Sequence, residues 1–126
     1  MKEIPRISDA EWLVMKALWA KSPRTTQELT AELEPDTRWK LKTVLTLLNR
    51  LVGKGAIGYE KHGKAHHYFP IVAETETVRA ENRNFLKRVY NGSLAPMLAH
   101  FVEQSELTPE QVQELRDILD GNEKRK

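Results

Sequence analysis

The sequence predicts a mainly helical fold interrupted once by a small β-hairpin, and three observations carry that expectation. Six stretches hold apolar residues at the three- and four-residue steps of one helix face. Two short segments with β-branched or aromatic members flank a glycine turn, and capping residues or glycines stand where the helical stretches begin and end. With 126 residues, 40% hydrophobic and 30% charged, the chain makes one globular domain or one domain with a small appendage.

The first helix opens at Ser8 Asp9 Ala10 Glu11, a capping box in which the serine hydroxyl accepts from the Glu11 amide and the Glu11 carboxylate from the Ser8 amide. Ile7 and Trp12 stand where a hydrophobic staple puts them. The expected inner stripe is Ala10, Leu13, Val14, Ala17 and Leu18, with Trp12, Met15 and Trp19 beside it, ending near Lys21. Tryptophans at this spacing read as core packing rather than as a ligand cage. Thr25 Thr26 Gln27 Glu28 repeats the box and opens a short second helix through about Leu33, with Leu29 and Leu33 inward and Pro35 as its stop.

After a turn at 36–38 comes a third helix within 39–55, closed by Gly53 Lys54 Gly55. Its spacing puts Leu41, Val44, Leu45, Leu48, Leu51 and Val52 on a packing side and Lys42, Thr43, Thr46, Asn49 and Arg50 on the other. The hairpin follows, at 56–61 and 65–70, with His62 Gly63 Lys64 between. From about Thr75 a fourth helix carries Val78, Phe85, Leu86 and Val89 to Asn91 Gly92. The fifth carries Leu94, Met97, Leu98, Phe101 and Val102. The sixth starts at Thr108 Pro109 with a Leu107/Val112 staple and turns Val112, Leu115, Ile118 and Leu119 inward until Gly121, leaving 122–126 as a frayed tail.

The small formal charge of +2 hides an asymmetry along the chain. Residues 1–36 carry five Lys/Arg against seven Asp/Glu, 37–73 seven against one, and 74–126 eight against ten. A cationic block between two mildly acidic ones fits a local polyanion contact, because each neutralised phosphate releases counterions; a solvated basic face is the other reading of charge alone. The outward stripe of the third helix decides between them, since it has no carboxylate and its hydroxyls, amide and long cations are the groups that bond phosphates and base edges. Two helices and a short turn ahead of a reading helix form a helix-turn-helix, and the hairpin after it reads as a wing offering Lys61, His62 and Lys64 to a phosphate or the minor groove, a solvated hairpin tip being the other reading.

Domains are therefore expected at 1–72, a winged-helix DNA-binding domain, and 73–126, a three-helix domain. The latter is too small to stand alone, so a two-fold homodimer is expected through Phe85, Val89, Leu94, Met97, Leu98, Phe101, Val102, Leu115 and Leu119. Such pairing sets the two reading helices about 34–36 Å apart, or a multiple of it, on double-stranded DNA. Packing of these helices back onto the first domain is the alternative arrangement.

Other chemistry finds little support. With no cysteine there is neither a disulfide framework nor a thiolate site. His62, His66 and His67 share one hairpin with Glu60, but strand alternation sends His66 and His67 to opposite faces, so no metal is expected. No glycine-rich phosphate loop or nucleophile elbow is present, and neither catalysis nor a cofactor is expected. Apolar runs of only a few residues suggest neither export nor membrane insertion, leaving the cytoplasm as the expected location. A winged-helix module that binds protein, or nucleic acid without sequence preference, is the competing function.

The chain resembles the BlaI/MecI type of bacterial transcriptional repressor. The resemblance rests on Ile7 Ser8 Asp9 Ala10 Glu11, on Trp39 with Lys42 Thr43 Val44, Thr46, Arg50 Leu51 and Lys54 Gly55, and on Tyr68, Phe85 Leu86, Tyr90 Asn91 Gly92 and Leu98 with Phe101. It implies an N-terminal winged helix, a helical dimerisation domain and repression of β-lactamase or methicillin-resistance genes at an inverted-repeat operator. It also implies relief by a membrane sensor with a cytoplasmic zinc protease, ending in a cut within the fifth helix at His100/Phe101. His100 stands where members of the family carry asparagine, and Lys40 where a small or polar capping residue is usual. The cysteine cluster of the related CopY-type repressors is missing, which argues against copper sensing.

Overall fold

The computed structural model describes residues 3–104 and 106–124. The chain divides into two compact units, Met1–Glu81 and Asn82–Lys126. Its elements run α1 (Asp9–Ala20), α2 (Thr26–Thr37), α3 (Leu41–Gly53), β1 (Ile57–His62), β2 (Ala65–Pro70), α4 (Glu74–Tyr90), α5 (Leu94–Glu103) and α6 (Pro109–Lys124). The cut at 72/73 drawn from sequence falls just ahead of α4, whereas the start of that helix packs with the first unit. Lys16 pairs with Glu74 at 3.2 Å, Trp19 donates its indole N–H to the Val72 carbonyl at 3.0 Å, and Thr77 is buried.

In the first unit three helices and the hairpin close around one apolar core. α1 gives Val14, Met15 and Leu18, α2 gives Leu29 and Leu33, α3 gives Val44, Leu47, Leu48 and Leu51, and the hairpin gives Ile57 and Tyr68. Both capping boxes form: Ser8 and Glu11 exchange amide bonds at 2.8 and 3.2 Å, and Thr25 and Glu28 at 2.9 and 3.2 Å. Leu13, expected inward, is 43% exposed, while Met15 and the carboxylate of Glu11 take the buried face. Glu11 is tolerated there because Lys54, at the end of α3, donates its ammonium to it.

Pro35 does not stop α2 but lies inside its last turn. A proline removes one amide donor, the one that would serve the Ala31 carbonyl, and the last turn still closes around it: the Thr37 hydroxyl donates to the Leu33 carbonyl at 2.8 Å and the Arg38 amide to the Glu34 carbonyl at 2.7 Å. The helix ends instead at Arg38, whose φ of 62° is left-handed.

Arg24, only 5% exposed, ties three elements together. Its guanidinium donates to the Lys21 carbonyl at 2.9 Å, to the Ala17 carbonyl at the end of α1, and to the Glu32 carboxylate of α2. Its backbone pairs both ways with Tyr68 of β2, at 3.0 and 2.8 Å. The hairpin is antiparallel, with Tyr59 opposite Tyr68 and His62 opposite Ala65. Its loop is the pair Gly63 and Lys64, with φ +64° at the glycine, the first central position that type II′ turns reserve for it.

The second unit has helices, but among its described residues none is buried. No residue of α5 is buried, and Phe85, Val89, Leu94, Phe101, Val102, Ile118 and Leu119 are all exposed. At the end of α4, Asn91 and Gly92 are both left-handed and the Gly92 amide donates to Leu86 at 2.9 Å. Thr108 and Gln111 cap α6 reciprocally at 2.9 and 3.1 Å. That helix passes through Gly121 and on to Lys124, so the tail expected at 122–126 is helical as far as Lys124. Gly121 lacks the positive φ that ends a helix, and residues 125–126 lie outside the described part.

Candidate nucleic-acid interface

Helix α3 is held from behind by α1, α2 and β1, through Val44, Leu47, Leu48 and Leu51. The side turned away from that core carries Lys42, Thr43, Thr46, Asn49 and Arg50, all exposed as the spacing predicted. The Thr46 hydroxyl donates to the Lys42 carbonyl at 3.0 Å, which fixes its rotamer and leaves its oxygen free to accept. The helix starts at Lys40 without a side-chain cap, in line with the absence of a small polar residue there.

The packing side differs from the expected one. Leu47 is buried, whereas Leu41 and Leu45 are 46% and 40% exposed and Val52 is only half-buried. α3 has seven Leu or Val among thirteen residues, more than one stripe accommodates, so apolar spacing alone leaves the facing direction open. The direction is set by the neighbours: the core meets the Val44–Leu48–Leu51 side, and Leu41 and Leu45 are left beside the polar ridge. They line an open cleft of about 540 Å³ toward the hairpin, together with Thr25 and Gln27 at the start of α2, Lys64 and His66. Sequence reasoning missed these two leucines as part of the outward surface; the surplus of leucine in α3 was the signal.

On the hairpin Lys61, His62 and Lys64 are exposed near or within the turn. His62 lies 3.4 Å from the Glu60 carboxylate and edge-on to His67, with ring centroids 5.0 Å apart. His66 is on the other face, stacked on Tyr59 at 4.3 Å and 12°. The described residues hold no group of three or more His, Asp or Glu fit for a metal, and none of their helices is long and apolar enough to cross a membrane.

Electrostatically, two acids of this unit are engaged within α2 and its cap. Hydrogen bonds from Arg24 hold the Glu32 carboxyl below its usual range, and those from Thr25 do the same for Glu28. No acid lies on α3 itself. A surface of lysines, hydroxyls, amide and guanidinium with no interspersed carboxylate can bond phosphate oxygens and base edges without like-charge repulsion.

In the second unit the apolar residues expected at a dimer contact are exposed or half-buried. Phe85, Val89, Leu94, Phe101, Val102 and Leu119 are exposed, and Met97, Leu98 and Leu115 intermediate. His100 is exposed on α5, with its Nδ1 3.1 Å from the Tyr90 hydroxyl.

A family model described as penicillinase repressor matches residues 7–121. The sequence is 40% identical to the penicillinase repressor of Bacillus licheniformis over 126 residues, all of this chain and 98% of that one. It is 34% identical to the methicillin resistance regulatory protein MecI of Staphylococcus aureus over 113 residues, 90% of this chain and 92% of the relative. Among solved structures, the monomeric form of Bacillus licheniformis BlaI in complex with the blaP half-operator superposes with a TM-score of 0.52 at 43% identity, over 60% of this chain and 93% of that one.

Proposed function

Since the chain belongs to the penicillinase repressor family, we propose that it is a repressor of β-lactam-resistance genes which binds an inverted-repeat operator as a homodimer. The family is one of DNA-binding transcriptional repressors, not of enzymes. The observation that carries the reading is the exposed, acid-free ridge of α3 beside a cationic hairpin. The complex of BlaI with a half-operator supports the same use of this unit.

In this reading α3 lies in the major groove. Lys42, Thr43, Thr46, Asn49 and Arg50 meet bases and phosphates, while Lys61, His62 and Lys64 hold the flanking backbone. The half-exposed apolar residues of 82–126 pair with those of a second copy, which places two readers on one face of the duplex. A cut between His100 and Phe101, by a membrane sensor protease of the kind the BlaI/MecI resemblance implies, would part Met97 and Leu98 from Phe101 and Val102. Release of the operator would follow from loss of the pairing.

Two substitutions test the reading together. Arg50→Ala should lose about 1–3 kcal/mol on the operator and relax the preference at one base position. Lys61→Ala should weaken operator and random duplex alike and lower the slope of log K against log salt by about one. Both are read by fluorescence anisotropy at several salt concentrations. Equal loss on operator and random duplex from Arg50→Ala would favour a module without sequence preference.

A further inference from the structure

Helix α3 shows solvent two adjacent rows at four-residue spacing, Leu41–Leu45–Asn49 and Lys42–Thr46–Arg50. Single surface leucines are ordinary. Here Leu41 and Leu45, 46% and 40% exposed, lie one turn apart inside a ridge otherwise made of cationic and hydrogen-bonding side chains. They border the cleft that Gln27 and Lys64 also line, on the side toward the hairpin. The surrounding charge suits a polyanion, and an occupant of this cleft must bring an apolar group into a phosphate-rich setting. In the major groove one base offers such a group, thymine with its C5-methyl.

We propose that Leu45, with Leu41 one turn before it, packs on a thymine C5-methyl and thereby selects thymine at a set position of each half-site. The inference rests on α3 being the reading helix. Lys42, Thr46 and Lys64 hold the duplex, and the leucine tells thymine from the three bases without that methyl. Leu45 is a specificity residue whose own contribution to binding is small, comparable to one buried methyl.

Selection from two pools of randomised duplexes tests it, one pool amplified with thymidine triphosphate and the other with deoxyuridine triphosphate, which removes the methyl and leaves pairing intact. The intact protein should enrich an inverted repeat from the thymine pool with one thymine per half-site preferred about fourfold, the value of one buried methyl-sized group. In the uracil pool that position should lose its preference. Leu45→Ala should enrich the same repeat but be indifferent at that position in both pools. A repeat with no methyl-sensitive position, or a Leu45→Ala protein that keeps the sensitivity, overturns the inference while leaving α3 as the reader. Failure to enrich any repeat from either pool overturns the reading of α3 as well.

Discussion

A fragment of residues 1–81 is expected to bind an inverted-repeat duplex ~10²–10⁴-fold more weakly than the whole chain, while holding a single half-site as well as the whole chain does. The fragment keeps what its own core needs, including the Lys16–Glu74 pair at 3.2 Å and buried Thr77. What it loses is residues 82–126, whose apolar side chains find no interior of their own: Phe101 is 44% exposed, Ile118 and Leu119 58% each. In the proposed assembly that surface joins two readers, so the second half-site is met at the effective concentration set by the joint rather than at bulk concentration. Sedimentation of the whole chain and the fragment, with titrations on half-site and full-site duplexes, reads both quantities. A fragment that held the full site as tightly as the whole chain would remove the dimerising role from α5 and α6, and with it release by a cut at His100/Phe101.

Lys54→Met is expected to lower folding stability by about 3 kcal/mol, the low end for removing one partner of a buried pair. The Glu11 side chain is 2% exposed and Lys54, 34% exposed, reaches it from the end of α3 while also donating to the Arg6 carbonyl at 2.7 Å. Burial by itself pushes the Glu11 carboxyl up. The hydrogen bond from Lys54, the amide of Ser8 and the Lys54 charge outweigh that and bring it below the ordinary 4.5. Because the folded value is the lower one, the stabilisation is complete above the ordinary value and is lost as pH falls through the folded one. Guanidinium denaturation should therefore show the full gap between wild type and Lys54→Met at neutral pH, narrowing below about 4.5. Pairing the change with Glu11→Gln, which keeps an acceptor for the Ser8 amide, should recover most of the loss. A single variant within about 0.5 kcal/mol of wild type at pH 7 would show that the ion pair does not hold α1 to α3.

Much of this architecture was legible because local chemistry announces it. Ser8 with Glu11 and Thr25 with Glu28 are self-contained devices, and both helices start where those letters stand. Gly63 marks the hairpin turn for the same reason: a two-residue loop needs a positive φ at that place. The polar ridge of α3 was legible as well, because five hydrogen-bonding side chains at helical spacing leave only one side for them.

Other features depend on neighbours that no local pattern encodes. Leu13 reads as core and is exposed, while Glu11 reads as a cap and is also a buried partner of a lysine 43 residues away. In α3 the surplus of leucine hid which way the helix turns, so Leu47 was missed inside and Leu41 and Leu45 outside. Pro35 misled because a proline forbids one hydrogen bond, here the one to the Ala31 carbonyl, and not a whole turn: the carbonyls of Leu33 and Glu34 still take donors from Thr37 and Arg38. At the far end, Gly121 has the composition of a stop without its conformation.

Arg24 gives the first unit the character of a preset jaw. Through one buried guanidinium and one backbone bridge it clamps α1, α2 and the strand that carries Tyr68. The hairpin is thus set against α1 and α2, on which α3 also packs, so in the proposed reading reader and wing are placed before a duplex approaches. In the proposed function, closing on DNA would then sacrifice little backbone freedom, and the encounter would be governed by the pull between phosphates and lysines rather than by a search for the right shape.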